Sequence, residues 1–503
     1  MPLLPLDAFD QPWPLHDVAQ SRRVETAAAA TLPPHTLMQR AGLAVAQLAL
    51  AIAPHAQRIW IAAGPGNNGG DGLEAAMHLR RAGKSVQVSL AGDASKLPPD
   101  AATSLRRAVE AGVAVSEGVA APADVDLAID ALLGLGATRA PESAVAALVQ
   151  AINALAGPRL AIDVPSGLCA DSGVALGPLV VRATHTLVLL TLKPGLFTAL
   201  GREQSGLLWF DDLGCGAEST QVPPRALLGD ADAAALLRPR RGHAGHKGGY
   251  GDVIAVGGAP GMSGALTLAA RAALAGGAGR VFACALDPDS PAHDAVVPEV
   301  MWRHAMWHDD PLSWQDATVV CGCGGGNAVR EPLPVLLSRS ARLVLDADAL
   351  NAIAADTALQ SLLAARATRG LATVLTPHPL EAARLLALPG ADRIQANRLA
   401  AAQSLAQRFG CTVLLKGSGT IIAAPRRTPV INPTGNARLA GAGTGDVLAG
   451  WLGGLWSASA ATDAVADAFV AARAAAYGHG AAASRGEPSA PLTASALLAA
   501  LSS

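Results

Sequence analysis

Lysine is almost absent from this chain. Lys84, Lys96, Lys193, Lys247 and Lys416 are the only ones, against 33 arginines. A genome-wide codon bias accounts for that ratio, and against it three lysines inside glycine-bearing motifs stand out: Lys193, Lys247 and Lys416. An excess of either charge is missing too. With 38 basic and 40 acidic residues the formal charge is -2, which argues against a nucleic-acid or anionic-membrane surface. Cysteine is sparse. The six show no paired metal spacing and are too few for a disulfide framework. Cys321 and Cys323 form the only close pair, and strand-end packing is the expected role. Apolar runs are broken by Arg, Asp or Gly well before about 18 residues, so no membrane span is expected. No basic run precedes the apolar start Met-Pro-Leu-Leu-Pro-Leu-Asp, so no secretory leader is expected, and a soluble cytoplasmic protein is.

What the chain does have is alternation. At 503 residues it is long enough for two or three domains. Short apolar runs read as strands at residues 58–63, 86–90, 126–133, 160–163 and 186–191. Helical runs lie between them at about residues 73–82 and 143–156. This pattern predicts a parallel sheet covered on both faces, a doubly wound α/β unit. Gly, Ser, Thr and Pro cluster over residues 214–224, which sets a boundary near residue 222. The alternation resumes with runs at 252–256, 281–286, 318–321, 342–346, 373–376 and 412–416. Residues 1–222 and 223–503 are thus expected to be two α/β domains, each with its own glycine-rich site.

In the first half, G-P-G-N-N-G-G-D-G at residues 64–72 follows a strand and precedes a helix. Ligands of open parallel sheets bind beyond the carboxyl ends of strands, where bare backbone meets phosphate. The spacing is not that of the G-x-G-x-x-G dinucleotide fingerprint. Asp130 and Asp163 each end a Leu-Ala-Ile-Asp run. A carboxylate at the end of a buried strand is costly unless it faces a ligand, an ion or a cap. Asn68, Asp130 and Ser166 offer oxygens to a hard monovalent cation.

In the second half nearly every strand run ends in a small or polar motif. These are G-G-A-P-G-M-S-G-A at 257–265, G-C-G-G-G at 322–326, D-A-D-A-L-N at 346–351, T-P-H-P at 376–379 and K-G-S-G-T at 416–420. Gly443-Thr444-Gly445-Asp446 completes the set and leads into a helical apolar pattern. Glycine amides and a helix N-terminus favour an anion, so Asp446 is expected to stand beside a phosphate site as a carboxylate base.

The first set of motifs, together with D-A-L-L-G-L-G at 130–136, D-V-P-S-G at 163–167 and T-L-K-P-G at 191–195, resembles the N-terminal epimerase domain of the NAD(P)HX repair enzymes, the YjeF family. The second set resembles the ribokinase-like fold and, within it, the ADP-dependent NAD(P)HX dehydratase. NAD(P)HX is NAD(P)H with water added across the nicotinamide ring, and it exists as R and S epimers. The resemblance implies a Rossmann-like epimerase domain followed by a ribokinase-like dehydratase domain. It implies that Asn67, Asn68, Gly69, Gly70 and Asp71, with Gly134, Leu135, Gly136, Ala137, Thr138, Arg139 and Ala140, bind the hydrate in the epimerase. Asp163 is then the substrate-contacting acid and base, and Asn68, Asp130 and Ser166 hold potassium. In the dehydratase it implies Ala265, Gly324, His378 and Asp446 as hydrate contacts. Lys416, Gly417, Ser418, Gly419, Thr420 and Gly445 become the nucleotide site, with Mg2+ and ADP giving AMP and phosphate. It also implies a homo-oligomer. Some relatives carry a lysine near the Gly134 loop where this chain has Arg139, and a guanidinium cannot shuttle protons at neutral pH. Relatives often have G-P-G-L-G where this chain has G-C-G-G-G, and T-P-H-P-G-E where it has T-P-H-P-L-E. Two other readings fit the pattern: a small-molecule kinase with an accessory N-terminal domain, and a first half that is a binding scaffold only.

Overall fold

Alternate residues of the strand β3 (Arg58–Ala63) serve two different cores. Ile59, Ile61 and Ala63 join a cluster with Val45, Leu48, Leu73 and Leu79, while Trp60 and Ala62 join one with Leu148, Val149 and Ile152. The pleat imposes this period of two. Burial on both faces is why the strand reads as one continuous apolar run. In the computed structural model the described residues are 4–6, 12–118, 121–229, 243–244, 246–309, 314–459, 468–486 and 490–502. Residues 1–3 and 7 of the segment read for a leader lie outside them. Apart from a few N-terminal residues, two compact units divide the chain between Leu227 and Leu228.

The first unit holds β1 (Leu4–Pro5), a short β2 (Trp13–Leu15), β3, β4 (Ser85–Leu90), β5 (Ala114–Glu117), β6 (Leu127–Ala131), β7 (Arg159–Ile162), β8 (His185–Leu189) and β9 (Leu207–Asp211). A further short strand, β10 (Ala226–Leu228), spans the division. The sheet order is β1-β9-β8-β7-β6-β3-β4-β5. Only the β1–β9 pairing is antiparallel; the rest are parallel. The chain leaves β3 for β4 and β5, then returns to β6 on the other side of β3. That reversal opens a crevice at the carboxyl ends of β3 and β6.

One element differs from expectation. The helix read from about residue 73 begins at Asn67, with Gly66 as its N-cap. Its glycines are not a loop; they let the helix touch its neighbours. A Cβ on Gly69 would lie 2.0 Å from the Gly64 carbonyl oxygen, and one on Gly72 2.5 Å from the Ala131 Cβ. The motif therefore seats a helix N-terminus deep in the crevice.

The second unit runs β13 (Val300–His304), β12 (Arg280–Ala285), β11 (Asp252–Gly257), β14 (Thr318–Cys321), β15 (Arg342–Leu345), β16 (Ala372–Leu375), β17 (Thr412–Leu415), β18 (Ile421–Ala423) and β19 (Val430–Ile431) in sheet order. Pairings from β13 through β17 are parallel, and β18 and β19 add antiparallel. Helix Thr444–Ser459 lies against helix Ser263–Ala275 through a seam of small residues. A Cβ on Gly450 would stand 1.9 Å from the Ala269 carbonyl oxygen, and one on Gly454 2.2 Å from that of Ala273. Close backbone approach there fixes the start of the helix that carries Asp446. No described helix is long and apolar enough to cross a membrane.

Candidate active sites

In the first unit a cavity of about 610 Å³ opens at the crevice between β3 and β6. Asn67, Asn68, Asp71, Gly134, Leu135, Gly136, Ala137 and Asp163 line it. Of the other expected hydrate contacts, Gly69 and Gly70 are buried in the helix packing, and Thr138, Arg139 and Ala140 fall outside the lining. The structure adds side chains that the motifs did not single out as contacts: Ser21, Arg22 and Glu25 from helix Val18–Thr31, and Lys193 beyond β8.

Asp163 follows β7 with φ of 67°, a left-handed conformation that aspartate tolerates better than most residues. Its N–H donates to the Leu187 carbonyl at 2.7 Å, and its Oδ1 accepts from the Leu189 N–H at 3.2 Å. The Lys193 ammonium, 2 % exposed, donates to the same Oδ1 and to the Leu189 carbonyl at 2.7 Å. The scarcity of lysine was the sequence signal for Lys193. Its pairing with Asp163 was hidden by thirty residues of separation. Asp71 lies in the same cavity; desolvation, then the nearby Asp163 and Glu25 carboxylates, push its proton affinity well up. Glu25 is also raised, first by burial and then by Asp163.

Asp130 and Ser166 meet beneath this cavity. The Ser166 hydroxyl donates to Asp130 Oδ1 at 2.6 Å, and the Ser166 N–H donates to Oδ2 at 2.8 Å. Burial pushes Asp130 up to about 6, with those two donors and the Leu132 N–H working against the rise. Asn68 packs on Gly134, and its amide nitrogen is buried with no hydrogen-bond partner. Oxygens of the Asp130 carboxylate, the Ser166 hydroxyl and the Asn68 amide are of the kind a hard cation takes, whereas the orphaned Asn68 nitrogen is a hydrogen-bond donor and no cation ligand.

In the second unit the turns after β14, β15 and β17 converge on the first turn of helix Thr444–Ser459. Lys416 Nζ donates to Asp346 Oδ1 at 2.6 Å, and Thr376 Oγ1 donates to the same oxygen at 2.8 Å. A Cβ on Gly445 would stand 3.4 Å from Lys416 Nζ and 3.9 Å from Asp346 Oδ2. Gly445 thus leaves the ammonium open toward the helix N-terminus. Asp446 sits in that first turn, with its carboxyl raised to about 6 by burial and then by Asp346. Gly324 and Ala265 are neighbours, since a Cβ on Gly324 would be 2.9 Å from that of Ala265. Asp348 accepts from the Gly326 N–H at 2.8 Å and so holds the G-C-G-G-G turn.

His378 has a structural task that the sequence did not disclose. It is the N-cap of helix Pro379–Leu385, with Nδ1 accepting from the Leu380 and Glu381 N–H groups at 3.1 and 3.3 Å. Glu381 returns a bond from the His378 N–H at 2.8 Å, closing a capping box. Burial and then Lys416 lower the imidazole, favouring its neutral form. Arg398 was also missed. Its buried guanidinium donates to the carbonyls of Lys416 at 3.1 Å, Leu415 at 3.4 Å and Gly419 at 3.5 Å, bracing the K-G-S-G-T loop. Lys247 is exposed, and its backbone, not its ammonium, packs on Gly279. All six cysteines are free thiols. Cys321 is packed within β14, as expected, but Cys323 is more than packing: its sulfur lies within 4.8 Å of carboxylate oxygens of Asp346 and Asp446.

A helix N-terminus and a buried lysine–aspartate pair lining one crevice, and a lysine-bearing glycine loop facing a carboxylate, define an α/β enzyme with two sites. Comparison with known proteins specifies it. Residues 252–500 match the NAD(P)H-hydrate dehydratase family, and residues 34–195 match the YjeF-related protein N-terminus. The bifunctional NAD(P)H-hydrate repair enzyme Nnr of Moorella thermoacetica is 39% identical over 456 residues, covering 84% of each chain. Its Escherichia coli K12 counterpart is 34% identical over 449 residues, covering 88% of this chain and 84% of the relative. Among solved structures, the ADP/ATP-dependent NAD(P)H-hydrate dehydratase from Bacillus subtilis is 26% identical, with a TM-score of 0.43 over 54% of this chain and 94% of that one. The chain belongs to the family of bifunctional NAD(P)H-hydrate repair enzymes, with an epimerase-type N-terminal domain and a dehydratase C-terminal domain.

Proposed function

We propose that residues 1–222 interconvert R- and S-NAD(P)HX and that residues 223–503 dehydrate the S form with ADP, giving NAD(P)H, AMP and phosphate. The carrying observation is the division of charges in the second unit, where Lys416 is bound to Asp346 and leaves Asp446 as a separate carboxylate.

In this reading Lys416, the glycine amides of residues 417–419, Ser418, Thr420 and Gly445 hold the nucleotide phosphates, while Ala265, Gly324, His378 and Asp446 contact the hydrate. Asp446 accepts the hydroxyl proton as that oxygen attacks the terminal phosphorus of ADP, and AMP departs. The new C–O–P ester is a far better leaving group than hydroxide. The ring nitrogen's lone pair expels phosphate, and loss of a proton from the adjacent ring carbon restores the double bond. Magnesium arriving with the nucleotide would neutralise phosphate charge, and the Asp346 carboxylate beside Lys416 would offer an oxygen donor of the kind it takes.

In the first unit, Asn67, Asn68, Asp71 and the residues from Gly134 to Ala137, which line the cavity, are assigned to the hydrate, and Asp163 to proton transfer at its hydroxyl. Lys193 orients the Asp163 carboxylate. Asn68, Asp130 and Ser166 are assigned to potassium, whose positive charge would offset the buried Asp130. The same reading makes the enzyme a cytoplasmic homo-oligomer that acts on small molecules and on neither nucleic acid nor membrane. Supplying S-NADHX with ADP and assaying products tests the second half. Free phosphate, AMP and NADH in equal amounts are expected, and a stable phosphorylated hydrate would indicate a kinase instead.

A further inference from the structure

Cys323 brings a soft donor into a site otherwise built of oxygen and nitrogen. Its backbone is pinned from several sides. Its carbonyl accepts from the Gly258 N–H at 3.0 Å, and the next carbonyl, that of Gly324, accepts from the Ala259 N–H at 2.7 Å. Gly322, at φ of 121°, lies so close to Asp346 that a Cβ there would be 1.9 Å from the Asp346 carbonyl oxygen. The turn therefore pins the Cys323 backbone beside Asp346. Sulfur and one oxygen from each of Asp346 and Asp446 lie within 4.8 Å of one another. Asp346 is 1 % exposed and is secured by Lys416 and Thr376. Asp446 is only partly buried and leaves a side open to solvent.

We propose that Cys323, Asp346 and Asp446 form a binding site for a thiophilic divalent cation such as zinc, and that its occupation withdraws Asp446 from dehydration. A tetrahedral zinc takes donors at about 2.0–2.3 Å, which puts them about 3.3–3.8 Å apart, so from separations within 4.8 Å the side chains close by at most about 1.5 Å. Two carboxylates against the Lys416 ammonium, joined by the thiolate that forms when metal displaces the thiol proton, make a net negative site that a divalent cation neutralises. Thiolate selects zinc over magnesium, which keeps to oxygen ligands and water. Binding forms one metal–sulfur and two metal–oxygen bonds, the thiol proton passes to buffer, and water fills the fourth position. The inhibitory consequence rests on Asp446 acting in the dehydratase; the binding itself does not.

The test uses the full chain, reduced and stripped of metal, titrated with Co2+ as a visible substitute for zinc. A near-ultraviolet thiolate-to-cobalt charge-transfer band at one equivalent is expected. It should be abolished by excess Zn2+ and untouched by excess Mg2+. Cys323→Ser and, independently, Asp446→Asn should weaken binding by about a hundredfold or more, since even outer-sphere partners are worth about 10- to 100-fold. Zn2+ should slow dehydration by the wild-type chain at least tenfold and leave epimer exchange unchanged. Against its own metal-free rate, Cys323→Ser should lose most of that inhibition. Absence of the band, or its persistence in Cys323→Ser, would overturn the site. A band accompanied by undiminished dehydration would overturn the inhibition.

Discussion

The two halves of this chain solve the placement of a working carboxylate in opposite ways. In the N-terminal unit the ammonium of Lys193 bonds directly to Asp163, and both are buried. In the C-terminal unit the ammonium of Lys416 is taken by Asp346, and Asp446 stands beside that pair, not in it. The first arrangement fixes a carboxylate's orientation. The second keeps Asp446 outside the ion pair, and in the proposed reading leaves it to gain a proton while Lys416 serves phosphate. That contrast matches a site that moves a proton reversibly and one that moves a phosphoryl group.

The largest test of the contrast is Asp446→Asn. Dehydration should fall by about 10²- to 10⁴-fold, the usual worth of a placed base, with epimer exchange intact. Loss of both activities would contradict separate sites. Lys193→Met should do the reverse, lowering epimerisation about 10²-fold. It should also destabilise the chain by about 3–5 kcal/mol, because it leaves a buried carboxylate unpaired; thermal melting reads this. An unaltered melting temperature would mean that the pair is worth little. The pH profile of dehydration separates the halves next. With Asp446 raised to about 6, its base form is full above that pH and is lost below it, so the rate should drop about tenfold per unit under pH 6. A flat profile down to pH 5 would assign the base elsewhere. Replacing potassium with a bulky organic cation should slow epimerisation several-fold and leave dehydration alone. Equal effects on both would remove the cation from Asp130.

The α/β class of both halves was legible because buried parallel strands read as apolar runs between helices, and the motifs at their carboxyl ends pointed to the two side-chain clusters that the structure brings together. What escaped reading was set by contacts distant in sequence. The strand Ala114–Glu117 is largely exposed and polar, so it gave no apolar signal. Val300–His304 ends in the exposed Arg303 and His304, and the antiparallel strands Ile421–Ala423 and Val430–Ile431 are only three and two residues long, so their pairing depends on partners already in place. The Asn-Gly stretch looked like a loop because glycines spaced for helix packing resemble glycines spaced for a turn. Lys193 announced itself by rarity, but not by partner. Arg398 was one arginine among many, and only burial under Gly417 distinguishes it. Cys323 was judged by its neighbour Cys321, while its true neighbours, Asp346 and Asp446, come from other turns.

One assay bears on the whole account: the purified chain, given mixed R and S hydrates of NADH with ADP, is followed by dihydronicotinamide absorbance. Recovery should proceed to completion, because the N-terminal unit feeds the C-terminal one. A trace that halts once the S share is consumed would contradict the epimerase half of the claim, and no recovery at all would contradict the dehydratase half.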